Sequence, residues 1–196
     1  MIILKKKKRF VIPVREIDQK LIDGCCEIYL EKVQAALAEG ANPNVVDRTG
    51  IHLIWHATDY FMTYQSKEER EKNREERRKA QDILSVLLSS GTDPDGGIAP
   101  SDIHQSTPLI EVCNQLEVRI AKLLLKYGAD VNHIDDEYTW LDTVNNTRQG
   151  VEMDLAYEED CWDISHEELL DRRKRVERMF ELAEAHDAKY YEDIIK

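Results

Sequence analysis

The 30 residues from Ser106 to Asp135, STPLIEVCNQLEVRIAKLLLKYGADVNHID, hold two short helices and a glycine-ended turn, and this unit constrains the fold more than any other part of the chain. Thr107 is placed to cap a helix whose first position is Pro108, where the missing N–H costs nothing. Leu109 and Val112 then fall on one side of that helix. Ile120, Leu123 and Leu124 recur at i, i+3 and i+4 and predict a buried stripe along a second helix, which Gly128 ends by taking the left-handed conformation. Two helices this short cannot cover both of their own faces, so the unit must stack against others like it.

TPL at 107–109 followed by LLLKYGADVN at 123–132 resembles the ankyrin repeat. Related segments recur at AALAEGANPNVVDRTG (Ala35 to Gly50), DILSVLLSSGTDPD (Asp82 to Asp95) and, more weakly, MFELAEAHDAKY (Met179 to Tyr190). Asp102 to Ile134 makes one unit of 33 residues, the period of that family. The resemblance implies an all-α fold, an ankyrin-repeat solenoid of about four helix pairs over approximately 17–46, 47–95, 102–134 and 135–191, in a single domain, 1–196. Its ends look adapted as caps: Gln19, Lys20 and Glu31 are polar, and the last unit carries Asp187 in place of the glycine before the charged tail YYEDIIK.

Two of these units are too long. From Ala57 to Gly91 the chain takes 34 steps where the resemblance implies roughly 16, which places an insertion at approximately 58–79 in repeat two. A second lies at approximately 145–171 in repeat four. Each ends in a serine with glutamate three residues on, Ser66-Lys-Glu-Glu69 and Ser165-His-Glu-Glu168, the signature of a capping box. The second helices of repeats two and four are therefore predicted to be lengthened. Without Pro or Gly from Ser66 to Ser90, the first of them would run about 36 Å at roughly 1.5 Å per residue. Its first half, SKEEREKNREERRKA, is almost free of apolar residues and reads as a solvated overhang, with Glu68 and Lys72 a favourable i, i+4 pair; a recognition arm is the other use of these charges. The second insertion, Gly150 to Asp171, sets nine carboxylates and no Lys or Arg around Tyr157 and Trp162. Acid that steers and rings that anchor would suit a basic protein surface. An acidic loop that pins Trp162 on the protein's own flank is the structural alternative.

The resemblance also implies where a partner would sit, since ankyrin proteins hold partners with their hairpin tips and the exposed face of the first helices. The tip positions are Arg48, Thr49 and Ile51 in repeat two and Ile103, His104 and Ser106 in repeat three; the helix positions are Asp59, Tyr60, Asn114 and Gln115. In the last repeat TWLDTV stands one residue early for the family's TPLDxA, which makes Glu137, Tyr138 and Trp140 the candidates. The acidic insertion adds Tyr157, Glu158, Glu159, Asp160, Trp162 and Asp163. Repeat two reads GIHLIWHA at 50–57, so His52 stands in the position of the capping threonine.

Chemistry is harder to find. His52 and His56 lie i, i+4 as in some zinc sites, but no glutamate follows His52 and sequence places no third ligand beside them. Cys25, Cys26, Cys113 and Cys161 form no C-x-x-C pair, and nucleophile-elbow and phosphate-loop motifs are absent. No catalytic residue, metal or cofactor is expected. A net charge of −12 disfavours nucleic acid and favours a basic protein partner, or simply solubility. With 42% hydrophobic residues the chain is too apolar for disorder, yet it has no apolar run of about 20 residues to span a bilayer. MIILKKKKRFVIPV fails the signal-peptide pattern, so a cytoplasmic protein, monomeric on its own, is expected. The reading is a protein-binding module without catalysis. The alternative is an immunity protein or inhibitor that neutralises a basic, nucleic-acid-acting enzyme or toxin through its acidic surface.

Overall fold

The computed structural model describes residues 13–63, 65–96, 106–135, 137–156 and 164–196. Among these the chain is helical, with two isolated antiparallel bridges, Val46 with His52 and Asp135 with Tyr138, in place of strands. The helices are α1 (Glu16–Cys26), α2 (Leu30–Ala38), α3 (Leu53–Thr58), α4 (Lys67–Lys72), α5 (Arg74–Ser89), α6 (Pro108–Asn114), α7 (Val118–Lys126), α8 (Trp140–Ala156), α9 (His166–Ala185) and α10 (Tyr191–Ile194).

They pack as pairs, α1 on α2, α3 on α5, α6 on α7 and α8 on α9. The pairs form two layers. The first helices run α1, α3, α6, α8 and the second run α2, α5, α7, α9, each touching the next in its row. Between the layers lie Leu21, Leu53, Ile54, Leu109 and Val112 from the first row and Val33, Leu84, Leu87, Ile120, Leu124 and Met179 from the second, all buried. Each large aliphatic side chain removed from water in this way contributes about 1.5–3 kcal/mol.

The internal periodicity shows most clearly where the second helices stop. Gly40, Gly91, Gly128 and Asp187 all take positive φ, at 90°, 90°, 89° and 54°. The next residue then donates its N–H back across the turn, Ala41 to Ala36, Thr92 to Leu87, Ala129 to Leu124 and Ala188 to Ala183, at 3.0–3.2 Å. This is the Schellman closure, and Asp187 performs it at the cost a non-glycine residue bears in the left-handed region. Beyond each cap, side chains stitch one turn to the next. Asn44 spans to Gly91 and Asp93 (2.8 and 2.7 Å), Asp95 accepts from the Asp130 N–H (3.0 Å), and Asn132 accepts from the Lys189 N–H (2.9 Å).

The stretches expected to be insertions, approximately 58–79 and 145–171, differ from expectation. The single helix predicted from Ser66 to Ser90 is broken at Asn73 (φ −93°, ψ 17°) into α4 and α5. Asparagine is a weak helix former, and the bend carries α4 towards α9. In the last helix pair both helices are long, since α8 runs 17 residues to Ala156 before the 20-residue α9 begins behind its Ser165 cap. The reason is a second small core: Val151 and Val176 are buried with Leu116, and Leu155 packs against them.

Candidate functional site

The turn between the first two pairs is built by one aspartate. Asp47 Oδ1 accepts the Thr49 N–H (2.7 Å), the Thr49 hydroxyl (2.7 Å) and the Ile51 N–H (2.9 Å), while the Asp47 N–H donates to the Ile51 carbonyl (2.8 Å). This holds Arg48, Thr49 and Ile51 outward, all three exposed. The remaining oxygen, Oδ2, lies 3.1 Å from His56 Nε2. Asp47 is held below the usual carboxylate range by its Ile51 and Thr49 partners and by His56, although its partial burial acts the other way. His52 caps α3, its Nδ1 accepting the Ile54 N–H at 3.3 Å as the Thr107 hydroxyl accepts from Ile110 at 3.4 Å. Burial lowers the proton affinity of His52, which keeps the ring neutral and able to accept.

The last turn is one residue shorter. Asp135 and Tyr138 exchange both backbone bonds at 2.8 Å, with Glu137 at φ 74° between them. Thr139 then caps α8, its hydroxyl accepting the Asp142 N–H at 3.3 Å while the Asp142 carboxylate accepts the Thr139 N–H at 2.9 Å. Glu137 and Tyr138 project into solvent, Tyr138 with 52% of its surface exposed. Trp140 does not. It occupies the first helical position, where Pro108 sits in α6, and with 0% exposure it fills the core instead of offering a contact. Its indole lies beside the Cys113 thiol, whose pKa burial pushes up to about 12.

Between α6 and α8 lies an open groove of about 270 Å³, lined by Ile110, Glu111, Asn114, Asp135, Tyr138, Thr143, Asn146 and Thr147. Two carboxylates, two amides and a phenol ring face it, and no cation is among its lining residues. Of the residues named from sequence, the groove brings together Asn114 and Tyr138. Gln115 is half-buried, its carbonyl accepting from Arg175 at 3.4 Å. Ser106 is half-buried before α6, and Asp59 is exposed at the end of α3. Tyr60 turns partly inward, edge-on to Phe61 at 5.6 Å, and burial raises its phenol pKa. Ile103, His104, Tyr157, Glu158, Glu159, Asp160, Trp162 and Asp163 lie outside the described residues. Sequence reasoning missed Glu111, Asp135, Thr143, Asn146 and Thr147. Their signal was available, because Glu111 and Asn114, and Thr143, Asn146 and Thr147, follow i, i+3 and i+4 spacing on polar helix faces.

Elsewhere α4 meets the start of α9. The Lys67 N–H donates to Glu168 (2.8 Å), Lys67 Nζ pairs with Glu167 (2.6 Å), Arg70 pairs with Asp171, and Arg175 pairs with Asp171 (3.0 Å) and Glu168 (3.4 Å). Further along α5, Arg77 pairs with the buried Glu117 at 2.6 Å and stacks over Phe61. The expected overhang is solvated along most of α4, where Lys67, Glu68, Glu69, Glu71 and Lys72 are exposed, but it is not free, because Lys67 and Arg70 tie it to α9. Glu75, Glu76 and Arg78 remain exposed.

Residues 104–136 match the family model of the ankyrin repeat. The chain carries an ankyrin repeat. Ankyrin repeats generally bind protein partners and are typically non-enzymatic. No curated protein matches the chain. Among the described residues no helix is long and apolar enough to cross a membrane, and no group of three or more His, Cys, Asp or Glu is placed to hold a metal ion.

Proposed function

We propose that this chain is a non-catalytic ankyrin-repeat solenoid of four helix pairs, over approximately 17–46, 47–95, 102–134 and 135–191 of one domain, that holds a protein partner on the face made by its turns and first helices. The observation that carries this reading is the polar groove between α6 and α8 beside the exposed Tyr138. It is concave, it lies between the matched repeat and α8, and it offers an amphipathic ring of the kind that anchors interfaces. The test is Asn114→Arg combined with Tyr138→Ala. Partner capture should fall at least about tenfold, a loss of roughly 1.4 kcal/mol, with the thermal midpoint unchanged. Undiminished capture would sink the proposal.

The partner we infer is a basic protein segment, met in the cytoplasm by a monomer of this chain. Glu111 and Asp135 in the groove and the net charge of −12 support it. In its sharper form the chain is an immunity protein or inhibitor that blocks a basic, nucleic-acid-acting enzyme or toxin, with Glu158, Glu159, Asp160 and Asp163 steering the approach. Association should then slow steeply with salt and on neutralising those four residues, and salt-independent association would refute it.

A further inference from the structure

Three side chains from three elements form a relay that the partner-binding reading does not use. Cys26, exposed at the end of α1, has its Sγ 3.7 Å from His56 Nδ1 on α3, and His56 Nε2 lies 3.1 Å from Asp47 Oδ2 in the first turn. The carboxylate can only accept, so in the neutral ring Nε2 carries the hydrogen and Nδ1 is left as an acceptor facing the thiol. A lone surface cysteine has no such base. Here the aspartate sets the tautomer, its own position being fixed by the Thr49 and Ile51 bonds.

We infer that Cys26 is a base-assisted thiol that exchanges with cationic small-molecule disulfides and carries the resulting adduct on the turn and first-helix face. In the step, the Cys26 S–H proton passes to His56 Nδ1 as Sγ attacks one sulfur of the disulfide. A new S–S bond forms, the old one breaks, and the departing thiolate takes the proton from His56. Cys26 sulfur is oxidised and the leaving sulfur reduced, so one disulfide and one thiol give one mixed disulfide and one thiol.

Two features define the reagent. Partial burial and the neighbouring Asp23, Asp59, Asp47 and Glu27 carboxylates raise the Cys26 pKa, so the thiol stays protonated near neutrality and depends on His56 for activation. Lys32, on the adjoining α2, is itself engaged by Glu27 at 3.0 Å. The same four carboxylates attract a positively charged disulfide and repel a negatively charged one. Cys25 and Cys113 do not compete, because burial pushes both to about 12.

The test uses the full chain with Cys161→Ser as background, labelled with cystamine or with dithiodiglycolate and followed by intact mass and peptide mapping. Cystamine should label Cys26 first and at least about tenfold faster than the dianionic reagent at low salt, the gap closing as salt screens the carboxylates. His56→Gln should slow cystamine labelling at least about tenfold, a floor below the roughly 10²–10⁴-fold of full general-base assistance, while an unchanged circular-dichroism spectrum shows the fold is kept. Labelling that goes first to another cysteine, equal rates for the two reagents, or an undiminished rate in folded His56→Gln would each overturn the assignment. The chemistry is read without any partner, so its failure would leave the proposed binding function untouched.

Discussion

Replacing Arg77 with methionine should be among the most damaging changes on the row of second helices. Glu117 keeps only 6% of its surface exposed, and Arg77 provides its partner at 2.6 Å, from a side chain itself 16% exposed. Arg77 also bonds Gln65 at 3.0 Å and covers Phe61, whose ring centroid lies 5.5 Å away. Methionine keeps much of that cover and removes the charge. Breaking a buried pair from one side costs about 3–5 kcal/mol, because the other charge is left without compensation. The slight exposure of this pair places the loss near the lower end, about 3 kcal/mol. For a chain of this size that is a fall in thermal midpoint of roughly 6–12 °C. Urea unfolding followed by circular dichroism measures it directly. The double variant Arg77→Met, Glu117→Leu should recover to within about 1 kcal/mol of the parent, since an apolar pair replaces a buried ion pair at little cost. If Arg77→Met alone costs under about 1 kcal/mol, or if the two single losses simply add in the double variant, the reasoning fails.

Three further outcomes follow from the same contacts. Because burial depresses the folded-state affinity of His52 for protons, the unfolded chain binds a proton first as pH falls through about 6.5; stability is full above that value and declines below it, and His52→Thr, which keeps a cap, should remove this decline between about pH 7 and 5 in a melting series. Trp140→Ala should cost about 3–5 kcal/mol in chemical denaturation, whereas Tyr138→Ala, two positions earlier and exposed, should cost under about 0.5 kcal/mol and act on binding alone. Gly128→Ala, at φ 89° with open space around the new methyl group, should lower stability by about 1–2 kcal/mol from backbone strain, and an unchanged midpoint would contradict the left-handed cap.

The elements that could be read from sequence were those fixed by local chemistry. Thr107 with Pro108, Gly128, and the serines at 66 and 165 each satisfy or free particular backbone groups, and each begins or ends a helix where that chemistry dictates. What escaped depended on contacts distant in the chain. The partnership of Lys67 and Arg70 with Glu167, Glu168 and Asp171 joins residues about a hundred positions apart, and no local pattern marks it beyond two charged stretches. The extension of α8 was locally visible, since Val144, Val151 and Leu155 share one helical face, but the density of acid around them masked it. Trp140 was assigned to the surface because it aligned with a turn. The shorter last turn moves it to the first position of α8, where it points into the core. The groove was half legible: Asn114 and Tyr138 were named, while their neighbours on α6 and α8 required the two helices to be seen side by side.

Affinity capture from native extract with three forms of the chain tests the central claim most directly: the parent, the groove variant Asn114→Arg with Tyr138→Ala, and a control with Glu75→Gln and Arg78→Gln on the exposed flank of α5. The account predicts one protein partner held by the parent and the control and lost from the groove variant, with all three equally folded. A partner that survives the groove variant and is lost from the flank control would contradict it and move binding to the opposite face.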